Sequence, residues 1–162
     1  MKSLAAVLAV TLFSFFPALA QAGDNYIRFG EGYLVSFSNN RLAIGNAAGV
    51  NVTAGHRLSS RLALEADYLD YKNGPSAGFV SLNFSRQRRS LRPHLNLGFG
   101  AMDHQFFGVG AVAKAGIGLD YVFHPSFSPE LVLGFQTSVI KGVGNIGSVL
   151  YLNNALMFAV HF

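Results

Sequence analysis

Val109-Gly-Ala-Val-Ala-Lys-Ala-Gly-Ile-Gly-Leu-Asp-Tyr-Val-Phe123 repeats with a period of two. Ala111, Ala113, Ala115, Ile117, Leu119, Tyr121 and Phe123 share one face, and Lys114, Gly116, Gly118 and Asp120 share the other. Successive side chains of a strand point to opposite sides, whereas a helix would space its apolar residues by three and four. The run therefore reads as a strand. Its less apolar face is glycine with two opposed charges. That is a poor water-facing surface but a good lining for a narrow, tightly packed interior.

The same alternation recurs on both sides of this stretch. In Leu91–Gly100, Leu95, Leu97 and Phe99 oppose His94, Asn96, Gly98 and Gly100. In Arg61–Asp70, Leu62, Leu64, Ala66 and Tyr68 oppose Ala63, Glu65 and Asp67. Eight segments result, over residues 26–38, 47–57, 61–71, 77–86, 91–101, 109–123, 128–140 and 148–162. Turn chemistry separates them at Asn39-Asn40, Leu58-Ser59-Ser60, Asn73-Gly74-Pro75, His124-Pro125-Ser126 and Gly142-Val143-Gly144-Asn145. Strands of about 9–11 tilted residues suffice to cross a bilayer, and closure is needed because open edges cannot be left in lipid. The predicted fold is all-β: an eight-stranded antiparallel up-and-down transmembrane β-barrel. The alternative, a soluble lipocalin-like barrel, needs a charged outer face that these strands lack.

Composition agrees. Of 162 residues only 12% are charged, against about 25% in a soluble domain. Hydrophobic residues make up 51% with 5 Pro, which excludes disorder. Beyond residue 20 no apolar run reaches the roughly 18 residues of a transmembrane helix. The absence of Cys removes disulfides, thiolate metal sites and cysteine nucleophiles. Met1-Lys2-Ser3, an apolar run to Phe16, Pro17 and Ala20-Gln21-Ala22 have the order of a secretory signal. The expected division is a cleaved signal peptide over 1–22 and a barrel over 23–162. Without Lys2 the mature chain has 11 basic against 8 acidic side chains. This mild excess, in an exported chain, gives no reason to expect nucleic acid as a partner.

Alternation places Arg28, Arg57, Glu65, Asp67, His94, Lys114 and Asp120 on inward faces. Buried charges must pair, so these residues read first as a structural ion-pair network filling the barrel. Lys114 and Asp120 are too far apart along one strand to pair. Asp67 matches the depth of Lys114 better than Glu65 does. Glu31 is the misfit: alternation puts it outward beside Phe29 and Tyr33, so a bulge or a kink at Gly30 and Gly32 is expected to turn it inward. Arg86, Arg88, Arg89 and Arg92 cluster near the fourth turn, where guanidinium forks could take phospholipid phosphates. Two aromatic belts are expected. One holds Tyr26, Phe29, Phe84, Tyr121, Phe123, Phe127 and Phe162 at the periplasmic ends. The other holds Phe37, Tyr71, Phe79, Phe99, Phe106, Phe107 and Tyr151 at the outer ends.

Arg92-Pro-His-Leu-Asn-Leu-Gly-Phe-Gly100 and Ala115-Gly-Ile-Gly-Leu-Asp-Tyr-Val-Phe-His-Pro125 carry the patterns P-x-x-x-x-G-x-G and G-x-G-x-[DE]-Y. With these motifs residues 24–162 resemble the OmpA-like small outer-membrane β-barrel domain. The C-terminal segment, with Leu156, Phe158, Val160 and Phe162 on one face, resembles that group's assembly signal, so Phe158, Val160 and Phe162 are its expected carriers. The resemblance implies a bacterial outer-membrane location without the periplasmic peptidoglycan-binding domain of larger members. It also implies lipopolysaccharide, phospholipid and the barrel assembly machinery as partners.

The expected role is non-enzymatic, in envelope integrity or surface interaction, for a monomer with no cofactor, no metal and no catalytic residue. The outer loops are short, the longest spanning 39–46, which disfavours a dedicated adhesin. A lipid A or phospholipid hydrolase would need a serine activated by a histidine. The histidines at 56, 94, 104, 124 and 161 show no such pairing, and Asn153-Asn154-Ala155 only faintly echoes a deacylase strand. A narrow channel for small solutes is the third reading. A lumen lined by Glu65, Asp67, Lys114 and His94 reads as a plug rather than a pore.

Overall fold

The computed structural model describes residues 25–38, 41–86, 88, 90–104, 108–123, 129–144 and 149–162. The segment expected to be a signal peptide lies outside them. Eight strands follow one another: β1 (Asn25–Ser38), β2 (Arg41–Arg57), β3 (Leu62–Tyr71), β4 (Ser76–Ser85), β5 (Leu91–His104), β6 (Gly108–Phe123), β7 (Glu130–Gly142) and β8 (Val149–His161). Each pairs antiparallel with the next, and β1 pairs with β8, so the sheet closes into a barrel with no free edge. The backbones of Asn25 and Phe162 exchange hydrogen bonds at the seam (3.2 and 2.9 Å). This end of the barrel, with the turns after β2, β4 and β6, is the termini end; the opposite end is the far end.

Residues 41–46 belong to β2, so the loop expected over 39–46 contracts to Asn39-Asn40, which lie outside the described residues. At the turn between β3 and β4, Asn73 takes a left-handed conformation (φ 59°). Asparagine tolerates that region better than most side chains.

The barrel is inverted relative to a soluble one. Ile117 is 62% exposed and Phe99 60%, whereas Asn96 is fully buried and Asp120 is 1% exposed. Leu95, Leu97, Leu119, Leu133, Phe135 and Leu156 are exposed around the wall. This distribution settles the choice between the lipocalin-like and membrane-type barrels: the charged and amide groups lie inside and an apolar band faces out.

The interior is layered. Inside the far half, Leu34, Leu69, Tyr71, Phe79, Met102, Val112, Ile140 and Tyr151 form an apolar cluster. This corrects the expected aromatic belts. Tyr71, Phe79 and Tyr151 point inward and are 3% exposed or less, and Tyr26 at the termini end is buried as well. Phe29, Phe84, Phe99, Tyr121, Phe123 and Phe162 do face outward. Phe106, Phe107, Phe127 and the Phe37 side chain fall outside the described residues. The parity argument itself explains the correction, because these inward aromatics sit on the same face as Asn51, Asp67, Ser81 and Asn153.

Candidate functional site: the charged lumen

The inward faces of β1 to β8 bring charged and amide side chains from every strand into the termini half of the barrel. β3 contributes two acids in succession, Glu65 and Asp67, both buried. Each acid is saturated by its own set of donors.

Asp67 is the acid of Lys114. Lys114 Nζ donates to Asp67 Oδ2 (2.5 Å), Ser81 Oγ donates to the same oxygen (2.6 Å), and Thr53 Oγ1 donates to Oδ1 (2.7 Å). Four strands meet at this carboxylate. Lys114 also lies 5.1 Å from the centre of the Phe79 ring, so the ion pair abuts the apolar layer directly.

Glu65 accepts from Tyr26 Oη (2.5 Å) and Asn83 Nδ2 (2.9 Å) at Oε1, and from Asn96 Nδ2 (2.5 Å) at Oε2. Arg28 bridges the two acids beside it. Its Nη2 donates to Asp120 Oδ2 (3.1 Å) and its Nη1 lies 4.0 Å from Glu65 Oε1. His94 Nδ1 is 3.6 Å from Asp120 Oδ1, an approach without a hydrogen bond. The tyrosine and histidine rings need glycine opposite them. A Cβ at Gly55 would strike the Tyr26 ring, and one at Gly118 would strike His94 Nε2.

A third cluster closes the termini mouth around Glu130. Arg92 Nη2 (2.8 Å) and Arg57 Nη2 (3.3 Å) both donate to Glu130 Oε1, and Arg57 also donates to His161 Nδ1 (3.0 Å). His161 stacks on Tyr26 with ring centres 4.6 Å apart. Arg57 is the most exposed member, at 29% of its side chain.

The lumen residues Arg28, Glu65, Asp67, His94, Lys114 and Asp120 thus lie together, with Arg57 at the mouth. Arg92 departs from its expected place. It lies in β5 and is 4% exposed, inside the mouth on Glu130 and apart from the turn arginines. The reason is register: Arg92 shares the inward parity of His94 and Asn96. Arg86 and Arg88 are exposed at the turn, next to Arg61 across the Arg61–Ser85 backbone hydrogen bond (2.8 Å). Arg89 lies outside the described residues. Phe158, Val160 and Phe162 face outward at the termini end of β8. Glu31 also stays outward. The register shift in β1 falls between Leu34 and Ser36 instead of at Gly30 or Gly32, so it comes too late to turn Glu31 in.

Sequence reasoning missed Glu130, His161 and the inward role of Tyr26. The signal was present: Glu130 has the parity of Val132 and Ser138, and Tyr26 that of Arg28. With them, Arg28, Arg57, Arg92 and Lys114 face Glu65, Asp67, Asp120 and Glu130, so acids and bases balance among the described lumen residues.

Neither a family model nor a curated protein matches this chain. Solved structures do. The N-terminal β-barrel domain of Pseudomonas aeruginosa OprF is 16% identical, with 88% of this chain and 100% of that one covered at a TM-score of 0.60. Ail, the attachment invasion locus protein of Yersinia pestis, in complex with the heparin analogue sucrose octasulfate, is 14% identical with 88% and 100% covered, at 0.59. A de novo designed transmembrane β-barrel is 18% identical with 88% and 98% covered, at 0.56. The fold is that of the small outer-membrane β-barrels. It is also the fold that the resemblance to OmpA-like barrels implies. A designed sequence reaches the same fold, so the fold by itself assigns no activity.

Proposed function

We propose that the chain is a non-enzymatic outer-membrane barrel that supports the envelope and meets partners at its surface, not a conduit or a catalyst. The observation that carries this reading is the closed interior. A charge-balanced network fills the termini half, and an apolar layer around Phe79 and Met102 fills the far half. A solute path would have to break desolvated ion pairs and then wet an apolar constriction, and each step is costly. The termini end would be periplasmic, with Arg61, Arg86 and Arg88 set to bind phospholipid phosphates of the inner leaflet. The loops of the far end would face outward.

Ser81 donates to Asp67, and among the described residues no histidine hydrogen-bonds to it. A serine hydrolase centre is thus not assembled there. The test has three readouts on one pair of strains, with and without the gene: membrane fractionation of the chain, lipid A and phospholipid mass spectrometry, and planar-bilayer conductance of the purified barrel. The reading expects a heat-modifiable band in the outer-membrane fraction, unchanged lipid species and no steady conductance. Loss of a lipid product on deletion would establish the hydrolase instead. Stable single-channel steps would establish the channel.

A further inference from the structure

Glu31 is a carboxyl on the apolar wall. It points outward between exposed Phe29 and Tyr33, with Val50 and Leu156 as its cross-strand neighbours. Among the described residues it makes neither an ion pair nor a side-chain hydrogen bond. On the membrane reading above, on which this inference rests, that group faces hydrocarbon.

Register and tilt show what lies level with it. From Glu31 the paired row runs through Leu156, Phe135, Leu119 and Pro93 to the termini-end turn at Arg86. In the other direction it runs through Val50, Asp70 and Ser76 to Asp103, near the far-end loops. With strands about 4.8 Å apart and tilted about 40°, each strand step changes depth by about 3 Å, slightly more than one residue along a strand. The outward positions level with Glu31 are then Asn154 on β8 and Thr137 on β7. Thr137 Oγ1 donates to Asn154 Oδ1 (2.7 Å), which leaves the Asn154 amide hydrogens as outward donors. An acceptor on β1 and a donor on β8 therefore flank the seam at one depth, in a wall otherwise of Phe, Leu, Val and Ile with Tyr33 and Thr137 beside them and Lys141 near its far end.

We propose that this β7–β8–β1 wall is the contact face of a homodimer in the membrane, with its two-fold axis along the membrane normal. Such an axis preserves depth, so a group meets only groups at its own level on the other copy. Glu31 of one copy then faces Asn154 of the other, and the reverse contact forms by symmetry. A patch with an acceptor on one side of the axis and a donor on the other is self-complementary, which is why a second copy is the occupant that fits. In lipid the competing monomer leaves the Glu31 carboxyl without a partner among the described residues and the Asn154 amide with Thr137 alone.

The chain has no cysteine, so single introduced cysteines report contacts cleanly. Leu156→Cys places one beside Glu31, and Leu97→Cys places one at the same depth on β5, the opposite wall. Both would be refolded into phosphatidylcholine–phosphatidylglycerol vesicles, checked for heat-modifiable migration, and oxidised. Leu156→Cys is expected to give a disulfide dimer and Leu97→Cys to remain monomeric. Glu31→Leu in the Leu156→Cys background should weaken the dimer about tenfold, and Glu31→Gln should retain most of it. Equal cross-linking at both positions would overturn the proposal, as would none at position 156 or indifference to Glu31→Leu. So would cross-linking in cells of Leu156→Cys to a different protein with none between purified copies. Failure of both cysteine variants to insert would instead defeat the membrane reading beneath it.

Discussion

Asp67 receives Lys114, Ser81 and Thr53 at once, so its charge is compensated by groups from three other strands. Removing the lysine leaves that carboxylate buried with only neutral donors. Lys114→Met is expected to destabilise the barrel by about 3 kcal/mol, because an uncompensated buried charge costs more than the pair itself contributes. Asp67→Asn should do similar harm. The double variant should recover much of the loss, since no lone charge remains. Urea unfolding of the refolded protein, comparing each single variant with the double, measures the coupling; absence of coupling would mean that each group is hydrated separately. Glu130 gives a contrasting case. It sits at the mouth, 15% exposed, and shares its charge with Arg57 and Arg92. Glu130→Gln should cost less, about 1–3 kcal/mol. Raising ionic strength should shrink that cost while leaving the Lys114→Met cost almost unchanged, because salt screens the wetter pair far more effectively. Equal salt sensitivity of the two variants would refute this ranking by hydration.

At the scale of strands, the period-two pattern was enough to locate all eight elements and the direction in which most side chains point. It was legible because a narrow lumen and an apolar wall make opposite demands on alternate positions. Three things were not legible. The far-side end of β2 extends beyond the expected start at residue 47: Arg41, Leu42 and Ala43 pair with Ser38, Phe37 and Ser36 across a register shift, and that shift breaks the alternation that marks the strand in sequence. The inward aromatics Tyr71, Phe79 and Tyr151 read from sequence as belt residues, since an aromatic near a strand end fits both places and only strict parity separates them. A bulge or a kink at Gly30 and Gly32 is expected to turn Glu31 inward, whereas the register shift falls between Leu34 and Ser36 and parity leaves it outward. For the aromatics and for Glu31, parity is the better guide. The same logic yields an expectation for β6. Gly118 has no room for a side chain beside His94 and the Phe135 carbonyl. Gly118→Val should therefore lower folded yield far more than Gly108→Ala at the open β6 entrance, where the cost is backbone strain alone (φ 68°). Heat-modifiable migration of the two variants compares them directly, and equal yields would show that β6 tolerates crowding in the lumen.

For the whole molecule, the question is whether the barrel is a plug or a gated pore, and its two interior layers answer it differently. The ion-pair layer is polar and would conduct if its pairs could rearrange. The apolar layer is a poorer conductor, because Phe79, Met102, Val112 and Ile140 offer ions no oxygen ligands and the Tyr71 hydroxyl in the same cluster is held by Asn153 (2.7 Å). Closure should therefore rest on the apolar layer more than on the salt bridges. Phe79→Ala removes the ring that lies against both Lys114 and the apolar cluster. Its loss should cost about 3–5 kcal/mol as a large-to-small core change and leave space that the neighbouring lysine can hydrate. Planar-bilayer recordings should be silent for the unaltered barrel and for Lys114→Met, and should show brief, irregular openings for Phe79→Ala. If Lys114→Met conducts and Phe79→Ala stays silent, the salt bridge is the gate. The apolar layer would then be only packing.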